Sequence, residues 1–409
     1  MASIVYLGGE SLPRSRVGCG STRAAGRTDC AGHLTYWRDH VNVFTHAALT
    51  SKRKSIARET NRARGMTVTI KDVARLAEVS VATVSRVLNS SPRVRDDTRA
   101  RVLEVARELR FAPNGAARTL SRRQATALGV ILPDLYGEFF SELLRGIDLE
   151  AQRAGHALLV SSSHHDARGV SVAVRAMRGR VDGLLVMAPE VSPAALATAL
   201  PDGLPVVILN TAPTPGAAAA VTVDNMGGTR AVVRHLAQLG HKHVGFISGP
   251  SHNADASARL RGYRAAMRGA GLTVRDEHVV HGDFTEEGGW NAARALVAQR
   301  SPRPSALFAA NDAMAVGALL ALREADVDVP GDITVVGFDD TPIARYVTPA
   351  LTTVRVAIDV LGARAATLLF RALADPIALR DPRREVIPTE LVIRHSCGPP
   401  RAASAVRPR

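Results

Sequence analysis

The sequence predicts an α/β protein with a small all-α unit ahead of it. Three observations carry this. From Ala127 onward, short apolar β-branched runs alternate with helical patterns of roughly ten to fifteen residues, the rhythm of parallel strands joined by helices. From Ile70 to Leu109 the apolar spacing is that of short helices only. The charge is lopsided: residues 1–65 hold 11 Lys/Arg against 4 Asp/Glu, residues 66–126 hold 12 against 6, and the other 283 residues hold 29 against 28. An excess confined to one end points to a polyanion there, with nucleic acid the leading candidate.

The chain has 409 residues, 46% of them hydrophobic, which suits two or three globular domains rather than one core. No run approaches the length of a membrane span. The opening "MASIVYLGGESLP" lacks the basic start and apolar run of a secretory signal. Cys19, Cys30 and Cys397 form no disulfide framework. A cytoplasmic protein is expected. Residues 1–65 show no sustained period, and patterned sequence begins abruptly at Met66. Met66 is therefore read as the true start and residues 1–65 as an over-extended frame; the alternative is a disordered basic extension that adds nonspecific DNA affinity.

Three helices are expected between 70 and 110. Ile70, Val73, Ala74 and Ala77 share one face of the first. The second runs from about Val81 to Asn89 with Ser80 as N-cap. The third carries Val102, Val105, Ala106 and Leu109, with Asp96 and Asp97 in its first turn complementing the helix dipole. Pro113 breaks the pattern, and "NGAARTLS" predicts one more short helix before a polar linker. The strands beyond are "ALGVILP", "ALLVSSS", "DGLLVMA", "PVVILN", "AAVTVD", "HVGFISG", "ALFAAN" and "ITVVGFDD".

The segment "VSVATVSRVLNSSPRV" carries small and β-branched residues where a surface helix would carry Leu, Glu and Lys. Helix, turn at Glu78–Ser80 and second helix give a helix-turn-helix layout, whose second helix enters the major groove by its N-terminal residues. Small residues let it approach the bases. Val81 and Ala82 offer methyl contacts to thymine, Thr83 and Ser85 reach phosphates or base edges, and Arg86 is long enough for a bidentate contact to guanine. The plain alternative is a three-helix packing unit with no DNA role.

Taken together, "TIKDVARLAEVSVATVSRVLN", "ARTLS", "GVILPD", "VDGLLVM", "GHKHVGFISGP", "ARLRGY", "NDAMAVGAL", "VPGDITVVGFDD" and "PALTTV" resemble the lactose-repressor (LacI/GalR) family of bacterial transcription regulators. The match keeps the family's order from about Thr67 to His395. It implies a helix-turn-helix domain followed by a periplasmic-binding-protein-like core: two doubly wound lobes that close on a small molecule, with three strands crossing between them. Glu78 departs from the family, where Gly or Asn often occupies this left-handed turn; the expected cost is at or below ~1 kcal/mol. Residues 1–65 match nothing in the family.

For DNA, the resemblance implies contacts from Thr69, Val81, Ala82, Thr83, Ser85, Arg86 and Asn89. It also implies a hinge at Asn114–Ser121 that folds on a palindromic operator as half of a dimer. Leu120 corresponds to the family's wedge into the central base step, with Ala117 and Arg118 beside it. Such a wedge gains contacts by bending a flexible step.

For the ligand, open α/β sheets bind beyond their strand C-termini. Asp134, Asn311, Asp312 and Asp339 all follow predicted strands. By resemblance, Arg259 and Asp339 bind the effector, Asn311 contacts sugar, Phe284 stacks on it, and Phe139 and Phe140 form the first-lobe wall. Asn253 and Asp255 stand where purine-binding members carry Arg and Thr, so a carbohydrate effector is expected rather than a purine. Plainer readings stand beside these: Phe284 in the core, Asp312 as a helix cap, Asp340 as a surface acid.

Other constellations carry less. His164, His165 and Asp166 read as a rim loop rather than a metal site. His235, His241 and His243 surround a Gly240 helix cap. No nucleophile elbow or dinucleotide fingerprint is present, so no enzyme, cofactor or metal is expected. The predicted organisation is an extension (1–65), the DNA-binding domain (66–112), hinge and linker (113–125), a two-lobed effector and dimerisation domain (126–396), and a tail (397–409) without the Leu heptads of a tetramer. The rivals are a solute-binding transport component and a sugar-modifying enzyme on a related fold.

Overall fold

The computed structural model describes residues 68–89, 91–111, 125–212, 214–299, 302–375 and 383–400. The predicted extension, the hinge residues Ala117, Arg118 and Leu120, and the tail beyond 400 lie outside these. The described residues fall into two units, divided within 112–124.

The first unit holds three helices: α1 (Ile70–Leu76), α2 (Val81–Leu88) and α3 (Asp96–Glu108). Val73, Ala74, Ala77, Val84, Val87, Val102 and Val105 bury together as its core. Ala74 and Ala77 are small enough for the helices to pack closely. Ser80 caps α2, its hydroxyl accepting the N–H of Thr83 at 3.1 Å. Between α1 and α2, Glu78 sits at φ 53°, and the Val79 N–H returns to the Ala74 carbonyl at 3.0 Å. This is the left-handed helix end that Gly or Asn usually supplies.

The second unit contains two six-stranded sheets. In the first lobe, β1 (Ala127–Leu132), β2 (Ala157–Ser162), β3 (Gly183–Met187), β4 (Val206–Leu209), β5 (Ala219–Val223) and β11 (Arg383–Ile387) run parallel in the order β11-β5-β4-β3-β1-β2. The second lobe has β6 (Val244–Ser248), β7 (Val279–His281), β8 (Ala306–Ala309), β9 (Thr334–Asp339), β10 (Thr352–Val356) and β12 (Thr389–Val392), ordered β12-β10-β9-β8-β6-β7. Only β12 is antiparallel to its neighbour. Strands β1, β3, β4, β6, β8 and β9 are buried along their whole length, which is why they read as unbroken apolar runs.

Helices α4 (Glu138–Arg153), α5 (Ala167–Met177) and α6 (Pro193–Ala199) belong to the first lobe. The second carries α7 (Asn225–Gln238), α8 (Ala254–Gly269), α9 (Glu286–Val297) and α10 (Asp312–Glu324). After β10, α11 (Ile358–Ala374) returns to pack on α4 and on β3 to β5. The chain thus passes between lobes three times: after β5, after β10 and between β11 and β12. Two of these passages are tied together: the Asp224 N–H donates to the Ile387 carbonyl at 3.0 Å, and the Thr389 hydroxyl donates to the Asp224 carbonyl at 3.2 Å. Glycine permits the closest helix contacts. A methyl group at Gly146 would strike the Asp359 backbone of α11, and one at Gly317 would strike the Glu286 backbone of α9.

Candidate functional site

In the helical unit, burial divides α2 into two faces. Val84 and Val87 are fully inside, whereas Val81, Ala82 and Arg86 are exposed and Thr83, Ser85 and Asn89 are half-buried. Val81 is 40% exposed, although a valine at a packing position would be covered. Thr69 closes the start of α1: its N–H and hydroxyl both donate to the Asp72 carboxylate, at 3.0 and 2.8 Å. These bonds hold the Asp72 carboxyl below its usual range. The Thr83 hydroxyl meets the Ser80 hydroxyl at 2.9 Å, so it helps build the cap as well as standing at the helix start. The seven predicted contact residues that are described therefore share the start of α1, α2 and its ends.

In the α/β unit, a cavity of about 570 Å³ lies between the lobes at the strand C-termini. That size suits a small molecule. All eight predicted effector residues line it: Phe139, Phe140, Asn253, Asp255, Arg259, Phe284, Asn311 and Asp339. Phe139 and Phe140 open α4 with their rings edge to face at 5.6 Å. Phe284, at φ 70°, leans over Gly249, where a methyl group would collide with its ring. It also packs against the core, as the plainer reading of this residue expects.

Arg259 organises the floor. Its guanidinium is 4% exposed and donates to the Asn225 side-chain oxygen at 2.8 Å, to the Ala310 carbonyl, and to Asp339 at 3.2 Å. It lies 3.7 Å over the Phe338 ring, a favourable cation–π position. Asn225 in turn donates to Asp255 at 2.7 Å. Arg259 and Asp339 compensate each other's buried charge, and effector contacts would come in addition. Burial raises the Asp339 carboxyl to about 6 despite Arg259, and burial likewise raises Asp255.

Asp339 sits in a strained turn. It has φ 112° and Asp340 has φ 54°, both outside the usual range for an L-residue. The turn is held from behind. Asp340 is buried and accepts from Arg355 at 2.8 Å and Arg394 at 2.5 Å, which corrects its reading as a surface acid. Asp312 is neither cap nor lining residue. Its carboxylate accepts the Thr341 N–H at 2.8 Å and the Thr353 hydroxyl at 2.5 Å, while Asn311 caps α10 through the Met314 N–H at 2.9 Å. Asn311 also donates to the Phe284 carbonyl at 2.9 Å, so its amide positions the loop beneath that ring.

Residues the sequence reading passed over also line the cavity. Glu190 accepts from Asn253 at 2.7 Å, and Glu138 accepts from the Ile343 N–H at 2.8 Å; each bond joins one lobe to the other. Glu190 follows β3 closely, so the strand-end rule could have found it. Glu138 had no signal beyond an acidic first turn. His165, from the predicted rim loop, lines the cavity 3.4 Å from Glu190, while Asp166 caps α5. His235 and His241 lie away from it; burial lowers both, and His241 meets the Ser305 hydroxyl at 2.8 Å. Among the described residues no cluster of His, Cys, Asp or Glu could hold a metal ion, and no helix is long and apolar enough to cross a membrane.

Comparison with known proteins follows the same division. Residues 69–114 match the family described as bacterial regulatory proteins, lacI family, and residues 233–397 match the periplasmic binding protein-like domain. The chain is 36% identical over 322 residues to the ribose operon repressor of Escherichia coli K12, covering 78% of this chain and 97% of that one. The Lac repressor dimer bound to operator and the anti-inducer ONPF superposes with a TM-score of 0.71 at 28% identity, over 80% of this chain and 98% of the other. The transcriptional regulator CelR in complex with cellobiose gives 0.61 at 30% identity, over 81% and 100%. A helix-turn-helix unit with one face of its second helix left exposed, a cleft between two doubly wound lobes and this degree of identity have one meaning: the chain belongs to the LacI family of bacterial transcriptional regulators.

Proposed function

We propose that this protein is a cytoplasmic, homodimeric repressor that binds a palindromic operator and is released or tightened by a carbohydrate or sugar derivative held between its lobes. The observation that carries the effector half is the convergence of Arg259, Asp339, Asn253, Asp255 and Asn311 with the rings of Phe139, Phe140 and Phe284 around one cavity. Rings that stack on sugar faces and fixed polar groups that donate and accept suit a polyhydroxy ligand. The sugar complexes among the relatives agree with this.

On the DNA side, Thr69, Val81, Ala82, Thr83, Ser85, Arg86 and Asn89 are read as the operator-facing set. Ala117, Arg118 and Leu120 are assigned to a hinge helix in the minor groove. The excess of 12 Lys/Arg over 6 Asp/Glu in residues 66–126 supports that side electrostatically. The dimer named for the similar Lac repressor structure supports the twofold assembly. The domains are taken as 66–112, 113–125 and 126–396, with 1–65 and 397–409 outside the working parts. Effector binding would alter the lobe angle and hence the spacing of the two hinges. Control then follows from the ligand's unequal affinity for two conformations.

The test is selection of binding sites from random duplex DNA with the full-length chain at near-physiological salt, with and without a panel of sugars. An enriched palindrome with a central CG step, whose occupancy responds to one sugar, is the expected result. No enrichment under any condition overturns the reading.

A further inference from the structure

The charge of the effector follows from what the cavity can offer it, on the carbohydrate reading of the cleft just given. Carboxyl groups line the cavity from both lobes, Asp134, Glu138 and Glu190 from the first, Asp283, Glu286 and Asp339 from the second. Arg259 is the one guanidinium among the described lining residues, and Asp339 already matches it at 3.2 Å. The His165 imidazole stands 3.4 Å from Glu190, so a charge gained there is matched as well.

Helix N-termini are the other place where a protein takes an anion. The first turns of α4, α8, α9 and α10 all contribute to the lining. Their free ends are already answered by the chain itself. Asn253 caps α8 through the Asp255 and Ala256 N–H groups, Thr285 caps α9 through the Gly288 N–H, and Asn311 caps α10. Each of the four helices also carries a carboxyl group in its first turn: Glu138 in α4, Asp255 in α8, Glu286 in α9 and Asp312 in α10. These acids take the positive helix end that a phosphate would otherwise use. An anionic group on the effector would shed water and meet carboxylates from both lobes, with no uncommitted cation among the lining residues to receive it. Hydroxyls meet no such cost, because they donate to the same carboxylates.

We propose that the effector is an uncharged polyhydroxy sugar and that the acidic lining rejects its phosphorylated and carboxylated forms. The regulator then responds to the free sugar, ahead of any phosphoryl-transfer step that consumes it.

The experiment is calorimetric titration of the full-length protein at neutral pH with matched sets: glucose, glucuronate and glucose 6-phosphate; galactose, galacturonate and galactose 6-phosphate; ribose and ribose 5-phosphate. At least one neutral sugar should bind, and its charged forms should bind about tenfold or more weakly. A uronate replaces a hydroxymethyl group by a carboxylate of similar size, so it separates charge from bulk. Added salt should narrow the gap, since several of these carboxyls are exposed and their repulsion is screened. Asp134→Asn combined with Glu286→Gln, two exposed positions, should narrow it too. The unliganded melting temperature shows whether that double variant folds. A uronate or phosphate ester that binds as tightly as its parent sugar overturns the proposal and leaves the carbohydrate reading intact. A gap indifferent to both salt and the double variant assigns the rejection to shape and overturns it as well. Binding of no sugar in any form sinks the carbohydrate reading, and this proposal with it.

Discussion

Glu138 on α4 of the first lobe accepts a hydrogen bond from the backbone N–H of Ile343 on the second, at 2.8 Å across the mouth of the cleft. Glu190 and Asn253 make a second bridge at 2.7 Å, and the Ala254 N–H donates to the Pro189 carbonyl at 2.9 Å. These contacts join the lobes outside the three chain crossings, so they contribute to closure and little to the stability of either lobe. Glu138→Ala removes one of them at a partly exposed site, a change of about 1 kcal/mol. Effector affinity should fall about fivefold with an almost unchanged unliganded melting temperature. An equal affinity by calorimetry would show that this bridge does not take part in closure.

Arg259 is different because its partners are buried. Removing the guanidinium strands Asp339, Asn225 and the Ala310 carbonyl together. Breaking a buried pair from one side costs about 3–5 kcal/mol. Arg259→Met should therefore lower the melting temperature by several degrees and abolish effector binding. Arg259→Met combined with Asp339→Asn should recover part of the stability but none of the binding. If the double variant is no more stable than the single one, Asp339 is not the group left unpaired.

Most of this fold was legible because parallel strands buried on both faces announce themselves as apolar runs, as β3 and β9 do. Strands β7, β10, β11 and β12 were not marked. β7 has three residues, two half-buried and the last exposed, while β11 and β12 form sheet edges in "RREVIPTELV", where charged side chains interrupt the apolar ones and Pro388 divides the run. The site was legible where polar residues end strands, as at Asn311 and Asp339. Glu138 and Asn225 were passed over because their roles depend on what the other lobe or a neighbouring helix brings to them. Asp340 could not be placed from sequence, since burial there is made tolerable by Arg355 and Arg394, 15 and 54 residues further along the chain.

Arg86 stands exposed on α2 beside Ala82, one turn away. A bidentate contact to guanine is worth about 1–3 kcal/mol of discrimination, whereas a phosphate contact is worth the same on any sequence. Arg86→Ala should reduce the preference for the operator over random duplex by roughly tenfold or more and leave nonspecific affinity nearly unchanged. Equal losses on both DNAs, measured at one salt concentration, would assign Arg86 to the phosphates. Leu120→Ala should weaken operator binding with effector binding intact.

Glu78 occupies its left-handed turn at φ 53° without the benefit of glycine. Its side chain is exposed, so replacement removes no packing. Glu78→Gly should relieve up to ~1 kcal/mol of backbone strain, less the entropy glycine adds to the unfolded chain. The expected result is a small rise in the denaturant midpoint of the helical transition, and a fall would show that the Glu78 side chain stabilises the turn by other means.

Asp339 sets a pH dependence. Burial raises its carboxyl from 3.8 to about 6 in the folded protein, with Arg259 opposing the shift. The folded state thus holds this proton more tightly than the unfolded chain does. The contribution of Asp339 to stability is therefore greatest below pH 4 and is lost as pH rises towards 6. Effector binding has the opposite sense if the ionised carboxylate accepts hydroxyl donors. Protonation halves its capacity as an acceptor and leaves the Arg259 charge unmatched, so affinity should be flat above about pH 7 and fall as pH drops through 6. Asp339→Asn should bind more weakly at neutral pH and lose most of that slope. Calorimetric titration of both proteins between pH 5 and 8 makes the comparison, and an unaltered slope in Asp339→Asn would move the titrating group elsewhere in the cleft.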